Sequence, residues 1–351
     1  MSYIARPRVS HPALARNELG LTTRDYVGGM STLCAGCGHD SITGALIQAA
    51  FELSIPPHRM GKLSGIGCSS KTPAYFASSS HGFNSVHGRM PSVSTGAAAV
   101  NGRLQYIGIS GDGDSLSIGI GQFVHAMRRN LNMLYLIEDN GVYGLTKGQF
   151  SASADSGSTA KRGEVNEQQP IDPCLLAIAS GCGFVARGFS GDREQLVPLL
   201  KAGLSHRGFA MIDVISPCVT FNDHEGSTKS YRFTRENAYP IGHTDFIPPE
   251  VEIRAEVGVG ETQQVQLHGG SSILLRRLDQ EYDASDRGEA YAYLSRRQGK
   301  GEVVTGLLYV EEGAPDMHAL ARLGDTPLAE LPYERLCPGS GALADLQDRL
   351  R

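Results

Sequence analysis

Two pairs of short patterns in this sequence carry side chains that could do chemistry. Gly111-Asp112-Gly113-Asp114 follows an apolar run at 105–110, and Asp139-Asn140-Gly141 follows another at 133–138. Such runs read as buried strands, and residues 115–129 between them repeat Leu116, Ile120, Phe123, Val124 and Met127 at helical spacing. Asp112 and Asn140 are therefore expected at the carboxyl ends of two parallel strands, where open α/β sheets bind ligands. A carboxylate, an amide oxygen and a following turn carbonyl make a hard-cation site suited to Mg²⁺. The glycines let backbone approach a phosphate, and a helix beginning near Ser115 offers unpaired N–H groups. Taken singly, the same residues are also ordinary turn formers.

The second pair involves sulfur. Cys34 and Cys37 form a CxxC turn able to aim two thiolates at a soft metal. Cys68 and Cys218 each follow an expected strand, so folding could bring them to the same sheet edge. The spacing matches neither a bacterial ferredoxin run nor a compact zinc finger. Four metal ligands and four unreactive buried thiols are both open on spacing alone. Cys174 and Cys182 accompany an apolar helix and read as packing residues, and Cys337 in the tail as structural.

The elements that must position these groups alternate between helix and strand. Apolar positions Ile42, Leu46, Ala49, Ala50 and Leu53 give a helix over 41–53, stopped by Pro56-Pro57. A short strand is expected at 63–67, a loop region over 77–96 and a helix from Thr95. Beyond Asn140 lies a polar segment reaching Gln169, long enough to suggest a functional or interface loop. Helices from Pro173 and Arg193 and strands at 184–187 and 210–215 continue the pattern. This is an α/β fold with a mostly parallel sheet covered on both faces. Residues 222–239 are expected outside the sheet, 251–267 extended, 273–282 and 287–297 as surface helices, 303–310 as a final strand, and 341–350 as a short helix. The organisation expected is an arm over 1–24, a core domain over 25–240, and an extension over 241–351 packed on the core or on a partner.

Composition narrows the classes. A chain of 351 residues with 40% apolar content and 43 glycines supports a sizeable, turn-rich core. A net charge of −5 gives no global attraction to nucleic acid or acidic membranes. No basic-then-apolar leader and no long apolar span is visible, so a cytoplasmic protein with reduced thiols is expected.

Six blocks in order carry a family resemblance: CAGCGH at 34–39, GIGCSSKTPAYF at 65–76, HGRMPSVSTG at 87–96, GDGD at 111–114, EDNGVYGLTKGQ at 138–149 and SPCVTFND at 216–223. The sequence resembles the thiamine-diphosphate-binding beta subunits of 2-oxoacid:ferredoxin oxidoreductases, most closely the 2-oxoglutarate type. That resemblance implies the thiamine-diphosphate-binding fold and one [4Fe–4S] cluster on Cys34, Cys37, Cys68 and Cys218. It implies Mg²⁺ on Asp112, Asn140 and the Val142 carbonyl. It places thiamine diphosphate against His39, Ser69, Gly111, Asp112, Gly113, Asp114, Asn140, Val142, Gly144, Leu145 and Thr146, with Lys147 nearby. Lys71 is the candidate for the substrate 1-carboxylate, and His87 and Arg89 could reach substrate or cofactor. The implied reaction is the reversible, coenzyme A-dependent oxidative decarboxylation of 2-oxoglutarate, with electrons passing to ferredoxin. Pyruvate or branched-chain oxoacids remain alternative substrates. A non-redox thiamine enzyme and a zinc-stabilised binding protein are the other classes. No acidic residue here suggests itself for activating the thiazolium. The family takes that Glu from an alpha subunit, so an (αβ)₂ assembly and half an active site per chain are implied. Leu33 stands where many relatives carry Trp.

Overall fold

A computed structural model describes residues 12–242, 258, 261–266, 272–276, 282–337 and 339–351. In chain order the strands are β1 (Met60–Ser64), β2 (His81–Asn84), β3 (Gln105–Gly111), β4 (Met133–Asp139), β5 (Val142–Tyr143), β6 (Gln149–Phe150), β7 (Phe184–Phe189), β8 (Phe209–Ile215), β9 (Ala238–Pro240), β10 (Thr262–Gln266), β11 (Ser272–Arg276) and β12 (Val303–Val310). The main sheet runs β2-β1-β3-β4-β8-β7-β12-β9. From β2 to β7 every pairing is parallel, β12 joins β7 antiparallel, and β9 lies parallel to β12. The mostly parallel sheet expected from the alternation is therefore present.

Period-two alternation assigns the layers. Met133, Tyr135 and Ile137 of β4 and Phe209 and Met211 of β8 face one cluster, which holds Phe123, Met127, Cys174, Ile178 and Leu294. Leu134 and Leu136, with Ala210, Ile212 and Val214, face the other, which holds Ile42, Leu46, Leu196 and Leu199. Both faces of the sheet are buried, which is why these strands are apolar throughout. One face is covered by α2 (Met90–Val100), α3 (Ile120–Arg128), α4 (Pro173–Ala179) and α7 (Arg287–Gln298). The other is covered by α1 (Gly38–Glu52) and α5 (Arg193–Ser205), and α6 (Tyr231–Asn237) lies beyond the core strands. Cys174 and Cys182 are buried in the first cluster, as packing residues would be, and Cys337 is exposed.

Several local expectations need correction. The single helix expected over 115–129 is two pieces: a π-helical turn at Asp114–Ile118 and then α3, separated at Gly119. A Cβ on Gly119 would press on the Gly88 backbone, so close approach of two loops breaks the helix there. The loop region over 77–96 holds β2, and α2 starts at Met90 because Pro91 fits its first turn. The strand expected at 63–67 is Met60–Ser64, and the chain leaves it through Gly67 at a φ of 92°. The surface helix expected over 273–282 is wrong in its first part. Residues 272–276 pair antiparallel with β10, and 277–281 lie outside the described residues. Most of 251–261 also lies outside them, and β10 supplies the extended part expected before Leu267. Residues 238–240, expected outside the sheet, form its last strand. Of the arm, residues 1–11 lie outside the described residues, while Asn17 Nδ2 donates to Tyr26 Oη (2.9 Å) and the Phe51 carbonyl (3.0 Å).

Two buried cations hold elements near the sheet edge. Lys62 of β1 donates to the carbonyls of Pro73 (2.6 Å), Phe76 (2.5 Å) and Ala77 (3.1 Å), clamping the turn that carries Cys68 and Lys71. Arg187 of β7 binds Asp213 (2.7 Å) and Asp172 (2.8 Å), tying the start of α4 to β8. Lys62→Met strands three carbonyls and should cost about 3 kcal/mol of unfolding free energy. Burial lowers the Lys62 pKa to about 8, so the folded chain sheds a proton that an unfolded lysine keeps. Stability should therefore gain with pH between about 8 and 10, and denaturant titrations should show that gain missing in the variant. Arg187→Met leaves two buried carboxylates uncompensated and should cost roughly 3–5 kcal/mol in the same assay.

Candidate active site

The carboxyl ends of β1, β3, β4 and β8 lie side by side. Neighbouring strands are about 4.8 Å apart, so four consecutive ends span only about 14 Å. Onto this edge β1 delivers Cys68, Ser69 and Lys71, β3 delivers Gly111–Asp114, β4 delivers Asn140, and β8 delivers Ser216 and Cys218. Cys37 caps the start of α1, where Gly38 packs against Ser190 and Ser216 so closely that a Cβ would clash.

Two cavities open along this edge. One, of about 240 Å³, is lined by His39, Cys68, Ser69, His87, Gly111–Asp114, Glu138, Asn140 and Val142–Thr146. The second, of about 300 Å³, is lined by Cys34, Cys37, Cys68 and Cys218 together with Lys71 and Lys147. The two share His39, Cys68, Asn140, Gly144 and Leu145 as a common wall. At Gly144 that wall is thin: a Cβ there would lie 3.6 Å from the sulfurs of both Cys68 and Cys218. The thiols line one space, yet among the described residues no three His, Cys, Asp or Glu side chains close on a single ion.

In the first cavity the carboxylates differ in surroundings. Asp112 accepts from Gly141 N (3.0 Å), Ser153 Oγ (2.7 Å) and Ser151 Oγ, all on Oδ2. Burial, with Asp139 adding to it, raises the Asp112 pKa to about 6. Asp114 has both oxygens engaged, by Gly88 N and Ser110 Oγ (each 2.8 Å), and so braces the His87-Gly88 loop. Asn140 Oδ1 accepts from Val142 N (3.0 Å), and its carbonyl accepts from Asn222 Nδ2 (2.8 Å). Glu138 is buried and accepts from Thr72 Oγ1 (3.0 Å). His39 Nδ1 lies 2.5 Å from Ser216 Oγ and 3.6 Å from Glu138 Oε2. Burial drives Glu138 well above the usual carboxylate range and His39 down to about 4, so their contact is polar and not an ion pair. In the second cavity burial raises Cys37 to about 12 and raises Cys68 as well. A metal would have to displace those thiol protons.

Residues 65–214 match the C-terminal TPP-binding domain of thiamine pyrophosphate enzymes. The "2-oxoacid:ferredoxin oxidoreductase subunit beta" of Saccharolobus solfataricus is 43% identical over 199 residues, covering 56% of this chain and 65% of that one. A "2-oxoglutarate synthase subunit KorB" from Methanocaldococcus jannaschii is 32% identical over 66% of this chain and 87% of its own length. Among solved structures, the 2-oxoglutarate:ferredoxin oxidoreductase of Magnetococcus marinus, with 2-oxoglutarate, coenzyme A and succinyl-CoA bound, superposes with a TM-score of 0.70. That match is at 32% identity and covers 89% of this chain and 92% of that chain. This chain belongs to the family of 2-oxoacid:ferredoxin oxidoreductase beta subunits. Its match spans just under two thirds of the first archaeal relatives, 65% of the Saccharolobus chain and 60% of one from Aeropyrum pernix.

Within this beta subunit most residues singled out by sequence reach the two cavities. Arg89 does not: it stands at the N-cap of α2 and lines neither. Sequence reasoning passed over Glu138, Tyr143, Ser151, Ser153, Asn222 and Lys229. Glu138 had a signal, as an acid ending an otherwise apolar strand. The serines and Lys229 had none, because they arrive from polar loops. Tyr143 Oη donates to the Gly113 carbonyl (3.1 Å), and a Cβ on Gly113 would overlap the Tyr143 ring. Gly113→Ala should thus push Tyr143 into the first cavity at a cost of roughly 1–3 kcal/mol. A thermal melt and a crystal structure of the variant would check both.

Proposed function

We propose that this chain is the beta subunit of a 2-oxoglutarate:ferredoxin oxidoreductase. The assembled enzyme would convert 2-oxoglutarate and coenzyme A to succinyl-CoA and CO₂, reversibly, with ferredoxin as electron acceptor. The observation that carries this reading is the common wall between a cavity lined by Gly111–Asp114 and Asn140 and a cavity lined by four thiols. The donor chemistry fits both groups. Asp112 leaves Oδ1 without any of the three donors that crowd Oδ2, and glycines at 111 and 113 keep the cavity floor low. In this reading Asp112, Asn140 and the Val142 carbonyl hold Mg²⁺, and His39, Ser69, Gly144, Leu145 and Thr146 surround thiamine diphosphate. Cys34, Cys37, Cys68 and Cys218 hold a [4Fe–4S] cluster. Four thiols spread around 300 Å³ suit a cluster better than one zinc ion. Thiamine diphosphate supplies the electron sink for the carbon left when CO₂ departs.

The residues of this chain would bind and orient. Lys71 and Lys147 both line the thiol cavity and not the first one, so 2-oxoglutarate is favoured over pyruvate or a branched-chain acid by the 2-oxoglutarate-type relatives, with Lys71 as the candidate for the substrate 1-carboxylate. His87 reaches the first cavity, while Arg89 would act only through the loop it shares with His87. An alpha subunit would supply the remaining acid, in an (αβ)₂ assembly, with residues 25–240 as the cofactor-binding core and 241–351 as the extension. The proposed complex is cytoplasmic. Among the described residues no helix is long and apolar enough to cross a membrane.

The test is the complex reconstituted with its alpha partner and assayed for dye or ferredoxin reduction with each oxoacid. 2-Oxoglutarate should give the highest kcat/KM, and a preference for pyruvate would overturn the substrate reading. Lys71→Ala should lower kcat/KM about 10- to 100-fold, mostly through KM, as expected for loss of one charge-assisted hydrogen bond worth about 1.5–3 kcal/mol. Cys218→Ser should deplete iron and visible absorbance in the anaerobically purified complex. Full retention of both would remove Cys218 from the ligand set.

A further inference from the structure

Asp112 is gripped from behind by residues that touch neither cavity. Ser151 and Ser153 belong to the polar segment after β6 and are absent from the walls of both the diphosphate and the thiol spaces. Both hydroxyls nevertheless reach Asp112 Oδ2, with Ser153 Oγ at 2.7 Å. Ser153 Oγ also lies 2.7 Å from Asp139 Oδ1, and Lys229 Nζ donates to Asp139 Oδ2 at 2.8 Å. The backbone locks this segment in place, since Ser151 N donates to the Gly141 carbonyl (3.0 Å) and Ile171 N to the Ala152 carbonyl (2.7 Å). Lys229 and Ser153 face a third cavity, of about 530 Å³, on the far side of the loop.

Charge placement gives this arrangement a direction. Asp112 and Asp139 are both buried, and Lys229 pairs with Asp139. Among the described residues no lysine, arginine or histidine nitrogen lies within 4 Å of Asp112. One of its oxygens takes the Ser151 hydroxyl, the Gly141 amide and a Ser153 proton shared with Asp139 Oδ1, and its other oxygen receives none of these donors. A carboxylate so held can turn neither oxygen freely, and it retains an unmet charge for a cation.

We propose that Ser151 and Ser153, anchored by the Asp139–Lys229 pair, are positioning residues that orient Asp112 toward a divalent cation. This rests on the Mg²⁺ reading given above. They act through Asp112 and do not touch the ion. Groups that orient a metal ligand typically contribute 10- to 100-fold in metal affinity. They also bear on selectivity, because Mg²⁺, for which Mn²⁺ is the spectroscopic stand-in, demands near-ideal octahedral geometry whereas Ca²⁺ accepts looser ligands.

The experiment uses the assembled alpha–beta complex, stripped of metal and supplied with saturating thiamine diphosphate. Mn²⁺ binding is titrated by electron paramagnetic resonance of the free ion, and Ca²⁺ binding by competition. For Ser151→Ala combined with Ser153→Ala, the Mn²⁺ dissociation constant should rise about 10- to 100-fold. Ca²⁺ should weaken by clearly less. Ser153→Ala alone gives a smaller shift of the same sign and serves if the double variant does not assemble. Wild-type Mn²⁺ affinity, or an equal loss for both ions, would overturn the proposal. Asp112→Asn separates the two readings. If it binds Mn²⁺ as wild type does, the Mg²⁺ assignment itself fails. If it loses Mn²⁺ while the serine variants do not, only the positioning role fails.

Discussion

The parallel register of β1, β3, β4 and β8 is the constraint on which the site depends. In a parallel sheet every strand ends at the same edge, and the adjacency of these four puts residues distant in the chain beside one another. Cys68, Asp112, Asn140 and Cys218 each lie within a few residues of a strand end, so their meeting is decided by strand order and not by local sequence. Packing on both faces fixes the register within that order: a one-residue slip in β4 would exchange Tyr135 and Leu136 between the two clusters. The hydrophobic core and the chemical edge are thus one design seen from the side and from the top.

Polar groups inside this edge survive through pairing. Lys62 and Arg187 are buried, and Lys229 half-buried, against carbonyls or carboxylates, so the loops above the sheet are held by directed contacts. Glu138 and His39 take the other course, with burial pushing the Glu138 carboxyl up and the His39 imidazole down to about 4. The edge therefore carries paired charges under its loops, while Glu138 and His39 line the first cavity.

Much of this was legible in the sequence. The strands at 105–110, 133–138 and 210–215 were readable because apolar runs this short, bounded by Gly, Asp and Asn, suit a buried strand better than a helix. The final strand at 303–310 coincides with β12. The motif residues were readable because each follows such a run. The break at Gly119 was hidden, since the cause is the Gly88 backbone approaching from another loop. The strand at 272–276 was mistaken for helix because Ser-Ile-Leu-Leu-Arg suits either period in so short a window. Ser151, Ser153 and Lys229 were invisible for a related reason: a polar residue in a polar loop shows nothing of the carboxylate it will meet. Local periodicity reports on burial and says little about which buried polar groups find each other.

The thin partition at Gly144 has one more implication. Gly144 adds no side chain to the wall it shares with His39, Cys68, Asn140 and Leu145, and both Cys68 and Cys218 sulfurs lie within van der Waals range of an added methyl. A change of charge on one side is felt on the other at close to contact distance, and neither compartment can be remodelled in isolation.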